Sequence, residues 1–264
     1  MKKWIWLAVF VLIFTMTAAP ALAAGKMTVT QENFYVDDEY GVNGYLFAKV
    51  ENTGDRAVEY SAGLWEIYDK NGDPLTSNDW LGCYPSCLAP GETGYVYASA
   101  YIDEVESAED ADDYMLTVTG KSSDQTVTYY PCQGEYQPDV QVNEYYRQDF
   151  VTAEITNDTQ ETVFGMEVVA ALMDEEGNLL YVEHADFYDS TGINAGSTVT
   201  YRFALSDNWP EIWDKAGVAP AKVEVLAYTI QDGSIKISRW FSTKESRKPS
   251  VLFFYRISMA SPKE

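Results

Sequence analysis

Apolar and polar positions alternate in short runs along most of the chain. In the first half the runs are LFAKVEN (46–52), EYSAGLWEIYD (59–69), GYVYASA (94–100), YMLTVTG (114–120) and TVTYY (126–130). In the second half they are FVTAEITN (150–157), VFGMEVVAALMD (163–174), TVTYRFAL (198–205), KVEVLAYTI (222–230) and SIKISRWF (234–241). A period of two, broken by Gly, Asp, Asn and Pro, predicts half-buried strands in antiparallel hairpins. One segment breaks the pattern. SDNWPEIWDKAG (206–217) has Trp209 and Trp213 four apart, Pro210 in the first turn and Gly217 as a stop, which predicts a short helix. IDEVESAEDADDY (102–114) holds the equivalent place in the first half.

The two halves repeat. At an offset of 105, Leu46, Ala48, Val50 and Asn52 fall on Val151, Ala153, Ile155 and Asn157. Asp69 and Gly72 fall on Asp174 and Gly177, and Gly91 and Thr93 on Gly196 and Thr198, with no gap from 46 to 98. At an offset of 108 a weaker match resumes, with Val118 on Leu226, Val127 on Ile235 and Tyr129 on Ile237. This predicts two copies of one domain, 27–133 and 138–242, joined at GEYQPD. About seven short strands per hundred residues predicts an all-β chain of two tandem immunoglobulin-like antiparallel β-sandwiches.

Asn52-Thr53-Gly54, Trp65, Ile67-Tyr68-Asp69, Gly72 and Leu88-x-Pro90-Gly91-Glu92 together resemble the FxLYD-type domains of bacterial secreted proteins. The second copy keeps Asn157, Leu172, Asp174, Gly177, Ile193 and Gly196, and departs at Met173 and Ala195. The resemblance covers about half of each domain. It implies an extracytoplasmic, non-catalytic β-sandwich module, and it brings no catalytic residues.

The chain ends add a location. Lys2 and Lys3 precede an apolar run, Trp4 to Met16, too short to span a bilayer comfortably. Pro20 ends the run and Ala21-Leu22-Ala23 fits signal peptidase, so residues 1–23 are expected to be a secretory signal, leaving 264 − 23 = 241 residues. No Cys follows, so no lipid anchor is expected. Residues 243–264 reverse the charge, with five Lys and Arg against two acids, and their apolar run VLFFYRISM is too short to cross a membrane. This basic tail reads as an electrostatic tether, an added strand or a stretch foreign to the repeat.

The chain as a whole is acidic, with 41 Asp and Glu against 18 Lys and Arg. Such a surface repels phosphate backbones and anionic lipid, which argues against nucleic acid. It suits divalent cations, basic proteins and neutral glycans.

Candidate chemistry is sparse. Asp69, Asn71 and Asp73 in YDKNGDP alternate like calcium ligands. An EF-hand needs Gly at its sixth position and Glu at its twelfth, where Pro74 and Trp80 stand here. The features common to both copies, Asp69 and Gly72, are those of a tight turn. A hairpin is the preferred reading, and calcium the weaker one. Asp103 to Asp113 carries seven carboxylates, a solvated face first and a weak ion site second.

Cys83, Cys87 and Cys132 all lie in the first copy, and one bridge among them is expected in an oxidising compartment. A bridge to Cys132 would close a loop of about 45–50 residues, worth about 4 kcal/mol. Zinc lacks an evident fourth ligand there. A Cys nucleophile lacks a base, since the one His, His184, lies in the other copy and reads as an ordinary strand or loop residue.

There is no phosphate loop, HExxH or GxSxG. Asn157-Asp158-Thr159 is a formal glycosylation sequon, but Asn157 replaces Asn52, so a turn role is simpler. Trp80, Tyr84 and Tyr130 fall in predicted loops, and a disulfide there would gather their rings into a surface for a glycan or protein. The function expected is a secreted, non-catalytic binding module for a cell-wall, glycan or protein partner. The alternative is a structural spacer in an envelope assembly.

Overall fold

The computed structural model describes residues 25–231 apart from 40, 104, 188–191 and 207. The expected signal segment, the run 234–241 and the basic tail lie outside the described residues. The strands of the first half are β1 (Met27–Asp37), β2 (Asn43–Asn52), β3 (Val58–Asp69), β4 (Pro74–Asn78), β5 (Gly82–Tyr84), β6 (Cys87–Leu88), β7 (Thr93–Tyr101), β8 (Ala111–Ser122) and β9 (Thr126–Tyr130). The second half holds β10 (Cys132–Asn143), β11 (Tyr146–Thr156), β12 (Glu167–Met173), β13 (Leu179–Asp186), β14 (Thr198–Ala204), helix α1 (Trp209–Ala216) and β15 (Lys222–Gln231). The protein is mostly β, and its strand pairings are antiparallel.

Four sheets result. The first half has β1-β2-β7-β5 opposite β4-β3-β6, with β8 on β3; the second has β10-β11-β14 opposite β13-β12-β15-β9. The repeat is kept in the ladders. Leu46 faces Ala98, and 105 residues on Val151 faces Phe203. Asn52 and Asn157 are both fully buried. The Asn52 amide donates to the Arg56 and Leu88 carbonyls at 2.7 and 2.9 Å, and the Asn157 amide to those of Glu161 and Ile193 at 2.8 and 2.7 Å. Each side chain thus ties a strand end both to the turn four residues on and to a segment 36 residues on.

Even an irregularity repeats. The β3–β4 ladder slips between Ile67 and Tyr68, skipping Leu75, and the β12–β13 ladder slips between Leu172 and Met173, skipping Leu180. These are equivalent β-bulges. The expected helix forms at α1, closed by Gly217 at φ 71°, whose N–H reaches the Asp214 and Trp213 carbonyls. In the first half a single 3₁₀ turn, Ala108–Asp110, stands at the equivalent place.

The halves are not separate beads. One core, built on Leu46, Ala48, Val50, Trp65, Ile67 and Val96, belongs to the first half. The other fills the second half and takes in Tyr35, Phe47 and Tyr95 from the first. Alternation explains this. Along β2, Leu46, Ala48 and Val50 face the first core, while Tyr45 and Phe47 face the other way. There they meet β13 and α1. Phe47 lies 5.3 Å from both Tyr181 and Trp209, and Tyr45 lies 5.1 Å from Trp209, between ring centroids. Each such ring pair adds about 0.5–1.5 kcal/mol beyond its buried area. Lys49 bridges the same seam to Glu224 at 3.1 Å.

A strand also crosses the expected boundary. β9, the end of the first copy, pairs with β15 of the second, from Thr126 opposite Gln231 to Tyr130 opposite Ala227. Pro131 then interrupts the ladder, having no N–H to donate, and the chain enters β10 in the facing sheet. Among the described residues β8 is left paired with β3 alone.

Candidate functional site

The loop at Asp69 is a turn. Its carboxylate accepts the backbone N–H groups of Asn71 and Asp73, both at 2.8 Å, and the Asn71 amide at 3.0 Å. Gly72 adopts φ 83°. Asp174 repeats the scheme, accepting the backbone N–H and side-chain amide of Asn178, both at 2.7 Å, with Gly177 at φ 91°. Both carboxyls are held below the usual range, Asp69 chiefly by the Asp73 N–H and Asp174 chiefly by the Asn178 amide. The oxygens expected to converge on calcium with Asn71 and Asp73 are directed into the turn.

Cys83, Cys87 and Cys132 are free thiols, so the expected bridge is not formed in this structure. The physical reason is placement in different environments. Cys83 lies in the first core, with its thiol pushed up to about 12 by burial. Cys87 sits at β6, beside Glu59 and Ser123. Cys132 belongs to the second half, where its thiol donates to the Val225 carbonyl at 3.0 Å.

The three expected aromatics likewise take three settings rather than one cluster. Trp80 is 88% exposed, in the loop after β4. Tyr130 is buried in β9 and shares a 3.1 Å hydrogen bond with Thr229. Tyr84 lies in the seam, its hydroxyl pushed up to about 12, first by burial and then by neighbouring Tyr97 and Asp186.

Beneath Tyr84 is the cluster that the sequence reading passed over. Asp186, Glu167 and Tyr228 form a row across β13, β12 and β15, each directly opposite the next. His184 stands two residues before Asp186, on the same face. Its Nε2 lies 3.2 Å from Glu167 Oε2 and 3.1 Å from Asp186 Oδ1. The Tyr228 hydroxyl donates to Glu167 at 2.7 Å. Burial works to raise the Glu167 carboxyl, but the contacts with His184 and Tyr228 outweigh it and hold it below the usual range. The His184 side chain is only 10% exposed, while Asp186 at the sheet edge is 65% exposed. One ligand atom from each of Glu167, His184 and Asp186 lies within 4.8 Å of the others.

The bulge at Leu180 makes this cluster. The turn alone, which pairs Asp174 with Asn178, would set Glu167 opposite Ala185 and put His184 and Asp186 on the far face. One extra residue in β13 reverses that parity.

A second feature is the side of β8 that no strand among the described residues pairs. This strand is 12 residues long, with no Pro and with Lys121 as its single base. Its outer face carries Met115, 46% exposed, diagonal to Leu64 on β3, 37% exposed. Asp112 and Asp113 lie near its start.

No helix among the described residues is long and apolar enough to cross a membrane. No protein-family model and no curated protein matches the chain. Among solved structures, the crystal structure of a red sea bream transglutaminase is similar at 10% identity, with a TM-score of 0.20, over 76% of this chain and 30% of that one. The chain therefore spans under a third of that protein's length, and the likeness is too slight to bear on fold or chemistry.

Proposed function

We propose that the protein is a secreted, non-catalytic binding module of two tandem immunoglobulin-like sandwiches, and that its first half captures an extended segment of a protein partner along β8. The observation that carries this reading is the side of β8 that has no strand partner among the described residues. Natural edge strands are kept from pairing by shortness, proline, edge or inward charge, bulges or a cover. The charges of β8 stand only near its ends, Asp112 and Asp113 at one and Lys121 at the other. β8 is long and lacks proline, and β9, the strand that follows it three residues later, pairs with β15 instead. A strand edge that no described strand covers is a template for strand addition. Asp112 and Asp113 favour a basic partner. The dispersal of Trp80, Tyr84 and Tyr130 speaks against a sugar-stacking platform. The leader-like residues 1–23 and the resemblance to FxLYD-type domains support work outside the cytoplasm.

A structural spacer is the second reading, favoured by the aromatic seam that joins the halves. Sedimentation with wall material from the producing organism separates the two. Capture that is lost after protease treatment of the wall, and lost for Met115→Lys/Thr117→Lys with unchanged melting, supports strand capture. Binding to purified polysaccharide that the double variant retains rules out β8 as the surface. No sedimentation in any arm leaves the spacer.

A further inference from the structure

The geometry points to a divalent transition-metal site, of the kind zinc occupies, formed by His184 Nε2, Glu167 and Asp186 at the seam between the two halves. This goes beyond the reading of β8 and stands independently of it.

The donor set is the first argument. One imidazole nitrogen and two carboxylate oxygens suit zinc, which takes nitrogen at about 2.0–2.1 Å and carboxylate oxygen at about 2.0–2.2 Å with tetrahedral geometry. Three atoms already within 4.8 Å of one another close around such an ion by small side-chain rotations. Calcium wants about six to eight oxygens and has no use for the imidazole.

Charge is the second. Glu167 and Asp186 are directly opposite each other across β12 and β13, where like charges oppose folding. A divalent cation held between them would neutralise both.

Preorganisation is the third. Metal-ligating side chains are held in place by outer hydrogen bonds and packing. Here the Tyr228 hydroxyl fixes Glu167 at 2.7 Å, and Tyr84 from β5 clamps the imidazole with its ring centroid 3.6 Å away. Tyr97 stacks in turn on Tyr84 at 5.8 Å. His184 and Glu167 are sheltered, while Asp186 at the sheet edge offers an entry path. Three protein ligands leave one position for water. The ion would lock β12 to β13 beneath a lid given by the first half.

The test uses the full chain, stripped with chelator and titrated with zinc by calorimetry. One saturable equivalent is expected. It should be abolished in His184→Ala, weakened by about tenfold in Tyr228→Phe, and unchanged in Trp80→Ala. Cobalt in place of zinc should give the visible absorption of a four-coordinate ion, and His184→Ala should remove it. Zinc should raise the melting temperature of the parent and not of that variant. Identical zinc isotherms for parent and His184→Ala, or a preference for calcium, would overturn the proposal. Should His184→Ala lose its circular dichroism, Asp186→Asn at the exposed edge carries the same comparison.

Discussion

The ring of Tyr84 lies on the imidazole of His184, with centroids 3.6 Å apart and planes 16° from parallel. The two residues come from different copies of the repeat, so this stack reports whether the halves are docked. Tyr84→Ala opens the stack and frees one wall of the seam. A loss of about 2 kcal/mol is expected, from a half-buried aromatic truncated to a methyl. Tyr84→Leu should recover part of the packing but none of the stack. Urea unfolding of the three proteins checks the order.

Acid should weaken the same region through Glu167. Its carboxyl is held below the ordinary value of about 4.3. A depressed folded value contributes stability that is full above the unfolded value and is lost as pH falls through the folded one. Glu167→Gln should therefore show a flatter acid limb than the parent below about pH 4.3, because that loss no longer occurs. The difference between the two stability curves isolates Glu167 from Asp69 and Asp174, which shift in the same direction.

The buried amides of Asn52 and Asn157 each hold two carbonyls, those of Arg56 and Leu88 and those of Glu161 and Ile193. Replacing either with Ala strands both acceptors in the interior. A cost of about 3 kcal/mol is expected at each site, and Asp should cost more because it buries charge. The two sites are equivalent by repeat, so the urea midpoints of the single variants should move together. The Asn157 amide is occupied and fully buried, so the folded chain offers nothing there to a glycosyl transferase.

The turns at Asp69 and Asp174 give a backbone test. A Cβ at Gly72 or Gly177 would meet no atom within 4 Å, so Gly→Ala at either site costs only the left-handed φ, about 1 kcal/mol. Millimolar calcium should leave the melting temperature of parent and variants unchanged. A calcium-dependent rise that Asp69→Asn removes would restore the ion-site reading of Asp69, Asn71 and Asp73.

Thiol chemistry should follow burial. A maleimide reagent should label Cys132, which is partly exposed, well before the buried Cys83 and Cys87. Peptide mapping after brief labelling checks the sequence of reaction. Rapid labelling of Cys83 would mean that the first core opens.

Much of the local structure was legible in the residues. The turns at Gly72 and Gly177 and the helix over 209–216 are short-range features, each written within a few positions. The equivalence of Leu46 and Val151 was legible too, because the repeat is gapless there. What alternation cannot state is what covers a strand's second face. Tyr45, Phe47, Tyr95 and Tyr97 were visible as the alternate set to Leu46, Ala48, Val96 and Ala98. Their aromatic character on a nominally outer face was the available signal for the seam. The cluster at His184 was hidden for a different reason. Glu167 is 17 residues away, and a bulge that no local motif announces decides whether it shares a face with His184. Cys132 was grouped with Cys83 by copy number, yet the ladder sends it to the other half.

The loan of β9 to β15 separates two kinds of unit in this protein. The repeat read from the sequence would close its first block near residue 133, but the sheet of the second half takes in a strand that begins at Thr126. A second half excised at 138 would leave behind the strand that covers β15. A first half excised at 133 would carry that strand with no β15 to receive it. The β9–β15 ladder thus makes each half a poor unit for excision, since either cut parts a strand from the partner it pairs with.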